Sequence, residues 1–377
     1  MITFAEKSNP MTAKTIYNWG RLLASFCLLP CLGAQAQTTL NMIVGTYTHH
    51  NSEGMYSFSF NQLTGKATPL DTLRLSNPSF LTLNRAGNKI YAVSENSDST
   101  AAVYDIDFNK ATGKMTLRHT LPCYGADPCY IASNGRLLLT ANYTGGSMSV
   151  FPLDAQGNVL PMSQQFKGHL APQLLPQQST PHIHCTQFTP DGQRVLATDF
   201  SANQLLAFKL DGTKLTPQGV VARLSSGSGC RHFVWSANKR FLYVVSELSG
   251  AVSVFRYGPG QMQRLQEIQS DSVGGHGSAD IHLSRDGRYL YASNRLKSDG
   301  ISIFRVNLNT GLLTKVGYQL TGIHPRNFAI TPNGKYLLCA CRDSNVIQVF
   351  AIDKETGLLT DTHQDIRMDS PVCIQFY

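Results

Sequence analysis

The sequence predicts an all-β chain of seven four-stranded repeats, and three observations carry that prediction. First, a strand-end pair recurs, an apolar or small residue followed by an aromatic: Met55-Tyr56, Val103-Tyr104, Val150-Phe151, Ala207-Phe208, Val254-Phe255, Ile303-Phe304 and Val349-Phe350. The aromatics stand 48, 47, 57, 47, 49 and 46 residues apart, a spacing typical of repeat architectures. Second, a turn followed by an apolar strand recurs as "NRAGNKIYAVSE", "SNGRLLLTAN", "TPDGQRVLATD", "SANKRFLYVVSE", "SRDGRYLYASN" and "TPNGKYLLCAC". Third, helical periodicity is absent throughout. Four strands per unit and seven units make a seven-bladed β-propeller.

Each element has its own justification. The turns carry Gly, where positive φ is easiest, except that Lys239 stands at the Gly position of the fifth repeat. The strands before the turns begin near Pro78, Pro128, Pro181, Cys230, Ala279 and Pro325. The chain opens with "TLNMIVGTYT" and "GMYSFSFN", which match the second and third strands of a blade, and ends with "SPVCIQFY". The C-terminal segment 370–377 is therefore expected to supply the innermost strand of blade 1, beside residues 39–48. That arrangement removes a free sheet edge.

The N-terminus reads differently. Lys14 and Arg21 precede a short apolar run, Leu22 to Gly33, and then Ala34-Gln35-Ala36. This is the pattern of a secretory signal peptide cut after Ala36, too short to span a bilayer. The expected organisation is a signal peptide, 1–36, and one propeller domain, 37–377, in the periplasm or secreted. Losing three positive residues and one negative residue with the leader lowers the formal net charge from +8 to +6. No Lys/Arg cluster argues for nucleic acid, no later segment is suited to cross a membrane, and a monomer is expected. Seven cysteines remain, an odd number. Cys123 and Cys129 are the one close pair in an expected loop and are candidates for a disulfide; the alternative is small buried hydrophobes.

A repeat supplies its own control. Positions that recur as one residue type serve the scaffold, and positions that differ between blades are candidates for a site. Seven residues before the turn mark stand Ser79, His184, Arg231 and Arg326. Nine residues after it stand Glu95, Tyr143 (if the third turn is one residue shorter), Phe200, Glu247, Arg295 and Arg342. The first set opens the innermost strands. The second set ends the antiparallel neighbours, so both sets reach one face of the ring. Arg231 and Glu247 are thus expected to be neighbours at an axial mouth, although strand ends are also where solvated charge normally sits. His182 and His184 flank Ile183 and could be a metal pair, but no third ligand is evident, and no metal or cofactor is expected. Asp280 and His282 lie in blade 6, with Asp280 six residues before its turn mark and out of phase with the others. The chain has no G-x-S-x-G elbow, and no HExxH, P-loop or dinucleotide-binding motif. Hydrolysis here would need an activated water.

The segments "NPSFLTLNRAGNKIYAVSE", "TPHIHCTQFTPDG", "CRHFVWSANKRFLYVVSELSGAVSVF", "ADIHLSRDGRYLYASNR" and "HPRNFAITPNGKYLLCA" resemble the seven-bladed lactonase family. That family includes cycloisomerase-type 6-phosphogluconolactonases and is similar to the carboxy-muconate lactonizing enzymes. The resemblance covers nearly all of residues 39–377. It implies lactone chemistry in the channel mouth, with His184 of "PHIH", Arg231 of "CRHF" and Glu247 of "VVSE" as catalytic residues. It further implies Arg295 and Arg326 as acid-binding residues. His182, Asp280 and His282 complete the expected substrate-binding set, and the expected partner is a small sugar lactone. The rival expectation is a non-catalytic exported propeller that binds a carbohydrate or a protein.

Overall fold

A computed structural model describes residues 38–172, 175–258 and 260–377. The expected leader, 1–36, lies outside the described residues. Seven antiparallel sheets form the fold. From inside outward, blade 2 runs Leu81–Leu83, Lys89–Ser94, Ala102–Asn109 and Lys114–Pro122, and the later blades repeat that order. Blade 7 departs slightly. Its third strand, Val346–Ile352, pairs with both Leu359–Asp361 and a short fifth strand, Ile366–Arg367. No helix among the described residues is long and apolar enough to cross a membrane.

The second strand of each of blades 2 to 7 is buried at every position, from Lys89–Ser94 to Tyr336–Cys341. The reason is geometric. A second strand is covered on both faces by neighbouring blades, so it reads as a near-continuous apolar run. The outer strand Ala67–Arg74 has water on one side and alternates instead. The core is consequently a ring of seven apolar layers, one between each adjacent pair of blades.

Ring closure is as expected. Pro371–Phe376 pairs antiparallel with Thr39–Thr46, with Val44 opposite Ile374 and Met42 opposite Phe376. The Cys123–Cys129 disulfide does not form. All seven described cysteines are free and buried, and Cys129 Sγ instead lies 3.6 Å from His184 Nδ1. A bridge would need Cys129 to leave the hub, where burial raises its thiol pKa.

Lys239 adopts φ +60°, like the turn glycines Gly192 at +69° and Gly334 at +69°. A Cβ in that region costs roughly 1–2 kcal/mol, and Lys239 is exposed. Lys239→Gly removes that strain, partly offset by the looser unfolded chain. The expected result is a thermal midpoint raised by about 1–3 °C. A lowered midpoint in a thermal melt would contradict it.

The inner strands carry a feature that the repeat did not reveal. Their pairing with the second strand slips between Pro128 and Tyr130, Ile183 and Cys185, Cys230 and Phe233, and Pro325 and Asn327. Each slip is a β-bulge, which leaves a residue outside the ladder and re-aims its side chain. The residues involved are Cys129, His184, Arg231 with His232, and Arg326. Bulges thus set His184, Arg231 and Arg326 outside the regular ladder.

Candidate functional site

One backbone bond organises the mouth. In six of the seven blades, all but blade 6, the residue after the second strand donates its N–H to a carbonyl ahead of the inner strand. It recurs as Tyr47 to Ser370, Glu95 to Asn77, Tyr143 to Asp127, Phe200 to His182, Glu247 to Gly229 and Arg342 to His324. This ring of positions meets the bulged residues, and the pairing is polar.

Arg231 is 2% exposed. Its Nε donates to Glu247 Oε2 at 2.9 Å and its Nη1 to the Ala279 carbonyl at 2.7 Å. No hydrogen bond engages Nη2 among the described residues. Arg295 Nη2 meets the same Glu247 Oε2 at 3.2 Å, and its Nε donates to the Gly277 carbonyl at 2.6 Å. Burial opposes the charge of Glu247, but Arg295, Arg231 and Arg326 outweigh it and lower its pKa. Burial pulls Arg295 down to about 9, still charged at neutral pH. Its Nη1 lies 3.0 Å from His324 Nε2, and His324 Nδ1 lies 3.2 Å from Asp343. Burial, then Arg295 and Arg342, push His324 down to about 2. His324 is thus a neutral bridge between a cation and an anion.

Across the mouth stands a second Glu–Arg pair. Arg326 Nη2 lies 3.2 Å from Glu95 Oε1, which also accepts the Tyr47 hydroxyl at 2.7 Å. Ser79 Oγ donates to the other carboxylate oxygen. The Arg326 guanidinium lies 5.3 Å from the centre of the Tyr47 ring, a cation–π distance.

His184 is held by aromatics. Tyr143 meets it edge-on at 5.4 Å and stacks flat on His182 at 4.0 Å. His182 Nδ1 donates to the Tyr143 carbonyl. Burial, then Arg231, His232 and Arg326, hold His184 well below the usual imidazole range. It is therefore a neutral ring, and no hydrogen bond engages its Nε2 among the described residues.

Asp280 and His282 sit elsewhere. They line the axial channel, a cavity of about 340 Å³ bounded by the inner strands of all seven blades. Asp280 accepts from His232 Nδ1 and His282 Nε2, each at 2.9 Å, and from Asn327 Nδ2. Burial opposes its charge, yet His282 and His232 hold its carboxyl well below the usual range. Asp280 ties three inner strands together beneath the mouth. Its phase has a plain explanation: it shares the six-before-turn position of His232 and Phe80, one layer down.

The structure therefore brings together Arg231, Glu247 and Arg295, and sets Arg326 and His184 beside them. It places His182 in the aromatic support and separates Asp280 and His282. The site set from sequence lacked Glu95, although it occupies the repeat position of Glu247. It also lacked Tyr47, whose blade is split between the chain ends and shows no turn mark. Among the described residues, no group of three or more His, Cys, Asp or Glu could hold a metal ion.

The arrangement offers buried guanidinium donors, a neutral imidazole and two carboxylates close together at the hub. Residues 41–376 match the family model described as "Lactonase, 7-bladed beta-propeller". The 6-phosphogluconolactonase of Formosa agariphila is 34% identical over 351 residues, covering 89% of this chain and 99% of that protein. A crystal structure from Bacteroides uniformis is 54% identical with a TM-score of 0.88, covering 90% of this chain and all of that one. The periplasmic gluconolactonase of Pseudomonas aeruginosa is 31% identical with a TM-score of 0.84, covering 90% and 99%. The chain belongs to the seven-bladed β-propeller lactonase family.

Proposed function

We propose that the chain hydrolyses a sugar-acid lactone in the mouth of the propeller, and that it does so outside the cytoplasm. The observation that carries the reading is the convergence of Arg231 and Arg295 on Glu247, with the Arg326–Glu95 pair and the neutral His184 close by. Kinship with 6-phosphogluconolactonases and with a periplasmic gluconolactonase supports the reaction class. The leader pattern over 1–36 supports the location. All the side chains come from one chain, so a monomer suffices.

Water attacks the lactone carbonyl and loses its proton to His184 Nε2. Negative charge gathers on the carbonyl oxygen, where the free Nη2 of Arg231 stabilises it. Collapse breaks the bond to the ring oxygen, which takes the proton back from His184. The product is an open hydroxy acid, which releases a proton to solvent, and its carboxylate is held by guanidinium forks. Glu247 has a different part from His184. Two arginines hold it as a carboxylate and weaken it as a base, and it positions both guanidiniums.

The assignment of the base predicts a pH profile. A base works when deprotonated, and the depressed pKa of His184 keeps it so into mild acid. Turnover of glucono-δ-lactone, with the spontaneous rate subtracted, is expected to be level from pH 8 down through 6.5 and to fall only below that. An acid limb centred on 6.5 would remove His184 as the base. No acceleration of any aldonolactone would favour a carbohydrate- or protein-binding propeller instead.

A further inference from the structure

Tyr47, Glu95 and Arg342, three of the mouth positions, also line a cavity of about 710 Å³ over blades 1, 2 and 7. Glu95 and Tyr47 form the wall it shares with the reaction centre. Glu95 links the cavity to the arginine cluster through Arg326, so a lactone bound at that pair turns part of its ring toward this space. The wall therefore meets the part of the substrate that distinguishes one sugar lactone from another.

Its charges are unevenly spent. Arg326 is paired with Glu95 at 3.2 Å, and Arg342 with Asp343 at 2.5 Å. Neither guanidinium is free of a carboxylate. Two further carboxylates on the wall have no cation paired with them among the described residues. Asp98 accepts the Thr100 hydroxyl at 2.5 Å and the Thr100 N–H at 2.9 Å, and Asp127 accepts the Ser97 hydroxyl at 2.7 Å. The hydrogen bonds from Thr100 lower the Asp98 pKa, so it is anionic at neutral pH. The wall also presents the Tyr47 and His49 rings, stacked with centres 5.6 Å apart. The Asn96 side chain stands between Ser76, Asn77 and Thr100.

A phosphate dianion needs an unspent guanidinium, a lysine or a nest of backbone N–H groups. This cavity offers surplus anions and acceptors instead. Hydroxyl groups are suited to such a wall, since each can donate to a carboxylate or an amide oxygen while its carbons lie on a ring face. We propose that this cavity selects uncharged polyhydroxy lactones and rejects lactones bearing a phosphate on the tail. Asp98 and Asp127 are the selecting residues. The proposal rests on the lactonase reading above and adds the substrate class.

The test compares kcat/KM for glucono-δ-lactone and 6-phosphoglucono-δ-lactone at pH 8, where ordinary imidazoles are neutral, in low salt. Coulomb repulsion between a dianion and two carboxylates several ångströms away predicts a preference for the neutral lactone of at least about 10-fold. Raising the salt to 0.5 M is expected to narrow the ratio, because exposed charges are screened. The double variant Asp98→Asn with Asp127→Asn is expected to narrow it from both sides, raising kcat/KM for the phosphorylated lactone and lowering that for the neutral lactone, whose hydroxyls lose two carboxylate acceptors. Equal kcat/KM for the two lactones in the wild type, or a ratio that neither salt nor the double variant moves, overturns the proposal. Turnover of neither lactone would instead remove the lactonase reading on which it rests.

Discussion

A chain ending at Ser370 is expected not to assemble the ring. The missing strand, Pro371–Phe376, is the innermost strand of blade 1. Asn41 and Tyr377 exchange both backbone hydrogen bonds, at 3.0 and 2.8 Å, beyond the strand's end. Without it, Thr39–Thr46 would line the hub with unpaired N–H and C=O groups, a ready template for aggregation. The loss extends to packing. Ile374 belongs to the apolar layer between blades 7 and 1, and Cys373 to the layer between blades 1 and 2. Val372 and Ile374 are each 1% exposed, and burying such side chains stabilises by roughly 1.5–3 kcal/mol each. Together, at about 3–6 kcal/mol, they match the low end of the stability of an ordinary domain, about 5–15 kcal/mol. The Ile374 N–H also donates to the Asn327 side chain of blade 7, so the strand joins both neighbours. The expected observation is insoluble protein, or a soluble chain without a cooperative melt. Ile374→Ala is the milder probe and is expected to cost about 2–5 kcal/mol. A truncated chain that melts cooperatively at the temperature of the intact one would show that the ring closes by other means.

What the sequence discloses and what it hides both follow from the repeat. Ring closure is legible because strands at the two chain ends match different places in one repeat. Arg231 and Glu247 are legible because they put charge at neighbouring ends of two otherwise apolar strands of one blade. Cross-blade partners are not. Arg326 and Glu95 are 231 residues apart, and nothing local to either residue signals the other. Tyr47 shares the repeat position of Glu95 and Glu247, as its backbone bond to Ser370 shows. In sequence its blade lacks the turn from which that position is counted. Asp280 looks out of phase because a strict period of two assigns alternate residues to alternate faces. The bulges break that period at the hub, so that Arg231 and His232 both meet groups of the channel. Bulges have no clear signature in one sequence, and the layering of the hub is correspondingly invisible.

Arg231→Lys is expected to lower kcat by roughly 10²–10³, the usual effect of losing one oxyanion donor, although the charge is kept. The reason lies in how Arg231 is used. Its guanidinium makes two directed contacts, to Glu247 and to the Ala279 carbonyl, and lies 3.4–3.5 Å from both ring nitrogens of His232. The planar fork serves these with Nε and Nη1 and leaves Nη2 for the substrate. A lysine ammonium is a single point at the end of a flexible stem. It can stay with Glu247 or approach the substrate, but it cannot reproduce three directions at once. The side chain is also buried, so the Ala279 carbonyl, left unpaired, adds an expected stability loss of about 1–3 kcal/mol. That loss is small enough for the protein to fold, and circular dichroism with a thermal melt would verify it. KM should change less than kcat, because the missing donor acts on charge that develops only as the carbonyl is attacked. If folded Arg231→Lys turns over glucono-δ-lactone at the wild-type kcat, Arg231 is a structural ion pair at the end of a strand. The oxyanion site would then have to be sought among the open nitrogens of Arg326, across the mouth.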